Sequence, residues 1–599
     1  MGSHQLTPPG SDDTGNRIED YALIGDCRTA ALVGIDGSID WLCWPRFDSP
    51  ACFAALLGTT ENGRWRIAPA APTTRATRRY LGDTMVLETL FQTSTGSIAV
   101  IDFMAHDGGS LIRIVEGRTG RVDVEMELEL RFEYGSAVPW VTHLPSGSAG
   151  IRAVAGPDQV ALRTTIPLFG RGLSTVGQFT VVPGDRIGFT LTHAASHDPL
   201  PAAPDIDAEL RATLKFWSNW AERCTYRGRW APAVRRSLLT LKALSHRVTG
   251  GIVAAPTTSL PEQLGGARNW DYRYCWPRDA AFTLQALLNA GYRDEAQAWS
   301  AWLRRAVAGA PDQLRTLYGL GGERWLPEHT LPWLSGHRGS VPVRVGNAAS
   351  TQLQLDVFGE LLHALYTECA VGLADPASGW GLQTALIEHL ETLWERPDEG
   401  IWEVRGGTRH FTLSKAMCWV AFDRAIRTAE TWSLPAPLDR WRALRNRIHT
   451  LVCERGYNAE RGSFTQIFDG DTLDASLLLL PQIGFLPADD PRMTATIEAI
   501  GADLMLDGRI RRYRTEETND GLQGREGAFL ACSFWYVDAL TLLGRHAQAE
   551  AFFTHLLGLC NDVGLLAEEY DPVAQRMLGN FPQAFSHLAL INAATRLGS

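Results

Sequence analysis

The chain has 599 residues, too many for one ordinary hydrophobic core, so two or more domains are expected. Hydrophobic residues make up 45% and charged residues 21%, which excludes extended disorder and fibrous repeats. The formal charge of -11 leaves no basic face for phosphate backbones, so nucleic acid is not an expected partner, and a neutral substrate needs no steering.

The opening "MGSHQLTPPGSDDTGN" lacks the charged and apolar regions of a signal peptide, and its MGSH reads as an appended remnant, so residues 1–17 are read as a disordered or appended leader. No apolar run reaches 18 residues, so no membrane partner is expected and the chain reads as cytoplasmic. Ten cysteines are scattered without CxxC pairs or Cys/His clusters, and Cys418 and Cys532 sit in apolar helical patterns. Reduced core thiols follow, with no metal site.

From 18 to 205 the apolar pattern is short and alternating, as in "AALVGIDGSIDWLCW", "VDVEMELELRFEYG" and "RIGFTLTHAAS", with Gly, Asp, Ser and Pro turns between. That pattern predicts a β-sandwich. After the Pro-rich joint "PLPAAPDID" the period becomes helical, with a linker segment over 206–230 and a helical domain over 231–599. Helices are expected at 279–291, 294–308, 349–371, 379–394, 412–428, 436–454, 472–481, 490–504, 527–542, 546–559 and 582–597. Paired helices in that number imply a closed double ring.

Three loops between these helices carry chemistry. In "NWDYRYCWPRDAAF" Asp271, Arg273, Arg278 and Asp279 alternate with Trp270, Tyr272, Tyr274 and Trp276. Such a lining suits a sugar, whose C–H faces stack on rings and whose hydroxyls pair with Arg and Asp. The bland alternative is that Asp279 caps a helix and the rings are core. In "GIWEVRGG" Glu403 adjoins Trp402, and a carboxyl against an aromatic ring can keep its proton near neutral pH. In "LLAEEYD" Glu568 and Glu569 are adjacent, so in extended backbone only one of them can face a given cavity. One protonated and one ionised carboxyl are the inventory of glycoside hydrolysis. No Walker motif, HExxH or GxSxG occurs.

Several long motifs, in order, resemble glycoside hydrolase family fifteen, the glucoamylase-like enzymes, and within it the bacterial branch of trehalases, isomaltose-releasing enzymes and related glucosidases. They are "IEDYALIGDCRTAALVGIDGSIDWLCWPRFDSP", "NWDYRYCWPRDAAF", "GSVPVRVGNAASTQLQLDVFGE", "GIWEVRGG", "DGLQGREGAFLACSFW" and "GNFPQAFSH". The resemblance implies an N-terminal super-β-sandwich followed by an (α/α)6 barrel, and an inverting, exo-acting hydrolase that releases β-D-glucose from short α-glucosides: isomaltose, malto-oligosaccharides or trehalose. It implies Glu403 as general acid and Glu568 as general base, with Glu569 standing where the family commonly has Gln. By the same resemblance Arg278, Asp279, Trp276, Trp402, Tyr274 and Arg512 form the glucose pocket, and Trp44, Asp48, Glu328 and Glu569 are lesser candidates.

An inverting reaction needs room for water, so the two carboxyls are expected about 6.5 to 9.5 Å apart, with the acid's proton held by burial and the base kept ionised by hydrogen-bond donors. No cofactor is implied, the partner is a small sugar, and an oligomer is open. A dedicated trehalase is one alternative. Inverting phosphorolysis and non-catalytic sugar binding are rivals of different class, and the retained Glu568 and Glu403 argue against both.

Overall fold

The computed structural model describes residues 15–144 and 149–598, so most of the expected leader lies outside it. Two eight-stranded antiparallel sheets form the N-terminal half. One runs through Tyr21–Gly25, Ala30–Gly34, Ser38–Cys43, Arg64–Pro69, Val122–Glu129, Ser174–Val181 and Phe169–Arg171, with Ala51–Phe53 attached to Ser38–Cys43. The other runs through Trp140–His143, Gly150–Ala155, Asp158–Thr164, Arg186–Ala195, Ser110–Gly120, Gly96–Met104, Leu87–Gln92 and Arg75–Tyr80. Alternation shows plainly in Val122–Glu129, where Val122, Val124, Met126 and Leu128 are buried while Asp123, Glu125 and Glu127 are not. Between the sheets Arg113 is fully buried, yet its charge is met by Asp102 at 2.7 Å and by the carbonyls of Trp65 and Gly37. A buried ion pair of this kind is tolerable because both carboxylate oxygens and two backbone carbonyls accept from the guanidinium.

Twelve helices follow: α1 (Ile206–Glu222), α2 (Ala231–Ala243), α3 (Ala280–Asn289), α4 (Arg293–Val307), α5 (Asp356–Ala370), α6 (Trp380–Leu393), α7 (Thr412–Trp432), α8 (Leu438–Arg455), α9 (Pro491–Asp503), α10 (Leu530–Leu542), α11 (His546–Leu557) and α12 (Ala584–Leu597). Asp205 caps α1 by accepting from the amides of Asp207 and Ala208, worth about 1 kcal/mol. Ile206, Leu210 and Leu214 of α1 then pack on Ile101, Phe103, Ile112 and Ile114 of the second sheet. The helix therefore lies on the sandwich and leads the chain toward the second half.

The remaining elements make a double ring. In the inner ring α3 packs on α5, α5 on α7, α7 on the 3-10 segment Ala475–Leu479, that segment on α10, α10 on α12, and α12 back on α3. Outside them lie α2, α4, α6, α8, α9 and α11. The inner helices are apolar nearly all round, as α10 shows with every residue but the last buried. An (α/α)6 barrel is the result.

Two expected helices are shorter than their apolar pattern. Over 472–481 only the 3-10 segment Ala475–Leu479 forms, capped by Asp474 and followed after Leu480 by Pro481, which has no N–H to continue a helix. Over 349–371 the helix starts at Asp356, behind a 3-10 turn at Ala348–Thr351 capped by Asn347. Among the described residues all ten cysteines are free, and no helix is long and apolar enough to cross a membrane.

Sandwich and barrel are clamped directly. Arg273 pairs with Asp271 at 2.6 Å inside the barrel and donates to the Ser49 carbonyl of the sandwich at 2.9 Å. Trp41 Nε1 donates to Pro256 O at 2.8 Å, and Asn561 Nδ2 donates to Tyr21 O at 2.8 Å.

Candidate active site

Glu403 sits in the turn between α6 and α7 with φ of 58°, a left-handed conformation that costs a non-glycine residue about 1 to 3 kcal/mol. Its Oε1 accepts from Trp276 Nε1 at 2.6 Å and from Arg278 Nη1 at 3.0 Å. Arg278 is itself anchored by the Ile401 carbonyl at 2.9 Å and by Asp279 Oδ1 at 2.9 Å. Burial raises the Glu403 carboxyl above the ordinary range, against the opposing charge of Arg278 and the Trp276 hydrogen bond. The group is thus disposed to hold a proton.

Glu568 and Glu569 stand at the start of the strand Glu569–Asp571, and their side chains take opposite directions. Glu568 lines the same small cavity as Glu403. Glu569 does not line it: its Oε2 accepts from Gly527 N at 2.8 Å and its Oε1 lies 3.3 Å from Arg512. Gly579 is what lets Glu568 lie so deep, because a Cβ there would stand 2.4 Å from Glu568 Oε2. Its φ of 72° also favours glycine.

The ionisation of Glu568 departs from expectation. Burial pushes its carboxyl well above the ordinary range, and the charge of Glu262 adds to this, while Arg512, the Tyr272 hydroxyl and the Asn580 amide oppose it. The Asn580 N–H reaches its Oε2 at 3.3 Å, a long hydrogen bond. Arg512 is the reason for the deficit, because its guanidinium is shared with Glu262 at 3.0 Å and Glu526 at 2.5 Å.

The other walls follow from the fold. Asp279 closes the N-terminal end of α3 without capping it, and its carboxyl is instead held by Arg278 beside the cavity. Trp402 is oriented by its indole N–H, which Asp474 accepts at 3.0 Å on each oxygen, and its ring meets Phe529 and Trp535. Arg512 lies over Trp402 with 5.5 Å from its guanidinium carbon to the ring centre. Trp276, Arg278, Asp279, Trp402, Glu403, Arg512 and Glu568 are therefore brought together.

A second small cavity shares Tyr272, Trp402, Glu403 and Arg512 with the first, so Glu403 stands where the two meet. Trp270 and Arg405 line it, and the guanidiniums of Arg405 and Arg344 lie 4.2 and 4.6 Å from the Trp270 ring centre. Glu328 holds both cations from behind: Arg405 reaches it at 2.6 and 3.1 Å and Arg344 at 3.3 Å. Burial raises the Glu328 carboxyl, but the hydrogen bonds and charges of these arginines outweigh it and leave it below the usual range.

Besides Glu328 and Glu569, which stand behind the walls and line neither cavity, three expected pocket residues lie elsewhere. Tyr274 packs with Leu317, Trp276 and Ala349 in a small apolar cluster behind the wall. Trp44 is buried in the sandwich with its ring 5.8 Å from that of His193. Asp48 is taken up by Arg46, at 2.6 Å, whose other partner is Glu323. None of the three lines either cavity. Asp271 and Arg273, alternate with Trp270 and Tyr272, turn away into the sandwich contact.

Sequence reasoning missed Glu262 and Asp474. Glu262 accepts from Trp270 Nε1 at 3.0 Å and from Arg512, and no local motif marks it. Glu262, Glu526 and Glu569 bring one oxygen each within 4.8 Å of one another, the arrangement a cation could use, but the Arg512 guanidinium already bridges all three.

Comparison with known proteins fits this geometry. Residues 228–595 match the model for glycosyl hydrolases family 15, and residues 11–166 match that for a trehalase-like N-terminal domain. A trehalase of Mycolicibacterium smegmatis is 39% identical over 612 residues, covering 97% of this chain and 91% of its own. A trehalase of Thermoplasma volcanium is 34% identical, covering 97% and 93%. An isomaltose glucohydrolase of Kribbella flavida is 26% identical over 45% of this chain and 67% of its own. The crystal structure of a bacterial glucoamylase complexed with acarbose superposes with a TM-score of 0.75 at 13% identity, covering 100% of this chain and 96% of that one.

Proposed function

Because the chain belongs to glycosyl hydrolase family 15 and is a glycoside hydrolase acting on α-glucosides, we propose that its substrate is trehalose, cleaved with inversion. The observation that carries this reading is the position of Glu403 at the junction of two small cavities, with Glu568 in the first. In this reading a disaccharide occupies the pair, one ring in each, with the interglycosidic oxygen beside the acid. Near-complete coverage of relatives that are trehalases favours trehalose over the α-1,6 disaccharide, whose named relative aligns over less than half of this chain.

In this reading Arg278 and Asp279 hold hydroxyls of the glucose to be transferred, and Trp402 and Trp276 bound its ring. Glu403 gives its proton to the departing oxygen while Glu568 takes a proton from water, which attacks the anomeric carbon from the opposite face. Substrate binding expels bulk solvent and places the polar hydroxyls against Arg512 and Glu568, so the base is reached in its ionised form only with the substrate's own donors nearby. Glu569 serves to hold Arg512 and carries no proton of the reaction. The subdivision into a sandwich over 18–205, a linker over 206–230 and a catalytic barrel over 231–599 is the unit structure this reading uses, and Glu568 with Glu403 both belong to the last unit.

Proton NMR in the first minutes of the reaction tests it. Inverting hydrolysis of trehalose gives equal α- and β-glucose, the first from the leaving sugar and the second from the attacked one. Only α-glucose would mean retention, and glucose 1-phosphate formed with added phosphate would mean phosphorolysis.

A further inference from the structure

The inner helices α3, α5 and α12 begin at the catalytic pocket, and along one side they line an open cleft of about 420 Å³ that shares no residue with that pocket and that the reaction does not use. Phe282 and Gln285 of α3, Glu360 and His363 of α5 and Asn592 of α12 face it. Glu360 is the feature that demands an explanation. It is 4% exposed, and among the described residues it makes no hydrogen bond or ion pair. A buried carboxyl left so costs several kcal/mol unless it stays neutral or meets a ligand.

Its surroundings favour the neutral form. Burial first, then the charges of Asp356 and Asp279, hold the Glu360 carboxyl well above the ordinary range, with Arg278 and Arg424 opposing. A neutral carboxyl both donates and accepts. Asn592 adds a donor, because its Nδ2 gives one N–H to Phe282 O at 3.3 Å and keeps the second, while its Oδ1 is buried away from the cleft. His363 accepts on Nδ1 from Arg424 Nε at 2.9 Å, which leaves its Nε2 as a donor. Burial, then Arg424 and Arg427, pushes its pKa down to about 3, so the ring is uncharged. The one cation at the mouth, Arg596, is paired with Asp538 at 2.9 Å. Phe282 adds an aromatic face, stacked on Trp535 at 6.2 Å.

Neutral donors and acceptors beside one ring, with every formal charge compensated, are the chemistry of a polyol site. We propose that this cleft is a second binding site, sharing no lining residue with the Glu403 pocket, for a neutral polyhydroxylated molecule of free-sugar size that hydrogen-bonds to Glu360 and Asn592. Its ligand bears on the catalytic floor, because Glu360 is within electrostatic reach of Arg278 and Asp279, and Trp535 connects Phe282 to Trp402. The site stands whether or not trehalose is the substrate.

D-Glucose is the probe, titrated calorimetrically into the full chain and into two variants. Gln285→Trp plugs the cavity from an exposed position of α3, and Asn592→Ala removes the amide; both should keep kcat/KM for trehalose and the wild-type Tm. A glucose-binding component that Gln285→Trp abolishes and Asn592→Ala weakens at least fivefold is the expected result. Glucose binding identical in all three proteins overturns the proposal. So does putrescine binding at the variant-sensitive site without glucose binding, since that would make Glu360 an anion serving a cation. Failure of the wild type to turn over trehalose would sink the substrate assignment above and leave this test intact.

Discussion

The indole Nε1 of Trp276 lies 2.6 Å from Oε1 of Glu403, and Arg278 Nη1 reaches the same oxygen at 3.0 Å. With two donors on one oxygen, the proton of a neutral Glu403 is directed to the other, Oε2, and so toward the substrate. Both donors also favour the anion. Trp276→Phe removes one of them, so the Glu403 pKa rises and the basic limb of the kcat/KM profile moves to higher pH. A limb that stays put, or moves down, would mean that Trp276 does not set the proton affinity of this group.

Replacing the two carboxyls separates their roles. Glu403→Gln and Glu568→Gln should each cut kcat for trehalose by about 10² to 10⁴-fold with little change in Tm. Fluoride leaves without a proton, so α-glucosyl fluoride should rescue Glu403→Gln and leave Glu568→Gln inactive. Rescue of both variants would remove Glu568 from the role of base, and rescue of neither would remove Glu403 from the role of acid.

Glu328 tests the second cavity. It touches neither carboxyl but fixes Arg405 through two hydrogen bonds, and Arg405 with Arg344 brackets Trp270. Bidentate pairs of this kind add geometry as well as energy. In Glu328→Ala the KM for trehalose should rise about tenfold, a loss of about 1.4 kcal/mol in binding the leaving sugar. Hydrolysis of α-glucosyl fluoride, which has no second ring, should be unchanged. An equal loss on both substrates would place the effect in the glucose pocket or in the fold.

The architecture was legible because the two halves differ in period: strands alternate to about residue 195, and helices take over at Ile206. Helix ends were less so, since apolar runs at 349–355 and 472–481 look helical until the cap residues Asn347 and Asp474 and the block at Pro481 are weighed. In the site, the paired glutamates of "AEEYD" could not be ranked by spacing alone. What ranks them is the depth allowed by Gly579 and the pull of Arg512 on Glu569. Trp44 and Asp48 belong to a conspicuous motif, yet their partners, His193 and Arg46, lie in the sandwich and its front loop. Glu262 carries no motif, and only its distance to Arg512 reveals it.

Glu262 therefore yields a prediction that the sequence could not. Its charge disfavours the anion of Glu568, so Glu262→Gln should lower the Glu568 pKa and move the acid limb of kcat/KM to lower pH. The amide oxygen of Gln can still accept from Arg512, which keeps the guanidinium in place. A shift to higher pH would show that the main effect of Glu262 is to hold Arg512 rather than to repel Glu568.

Asp356, at the first turn of α5, carries the last prediction. It is 1% exposed, and neither carboxyl oxygen has a hydrogen-bond partner among the described residues. Burial and the charge of Asp398 raise its pKa from 3.8 to about 7. The unfolded chain ionises this group near pH 4 and the folded protein does so only near pH 7, so between those values the folded state binds the extra proton and stability falls as pH rises. Above pH 7 the penalty is constant, with a ceiling on the order of 4 kcal/mol at about 1.4 kcal/mol per unit. Asp356→Asn removes the ionisation. The variant should gain Tm over the wild type at pH 8 and gain nothing at pH 4, with the difference growing between them. A variant equally shifted at both pH values would mean that packing around α5, and not the proton, decides the effect.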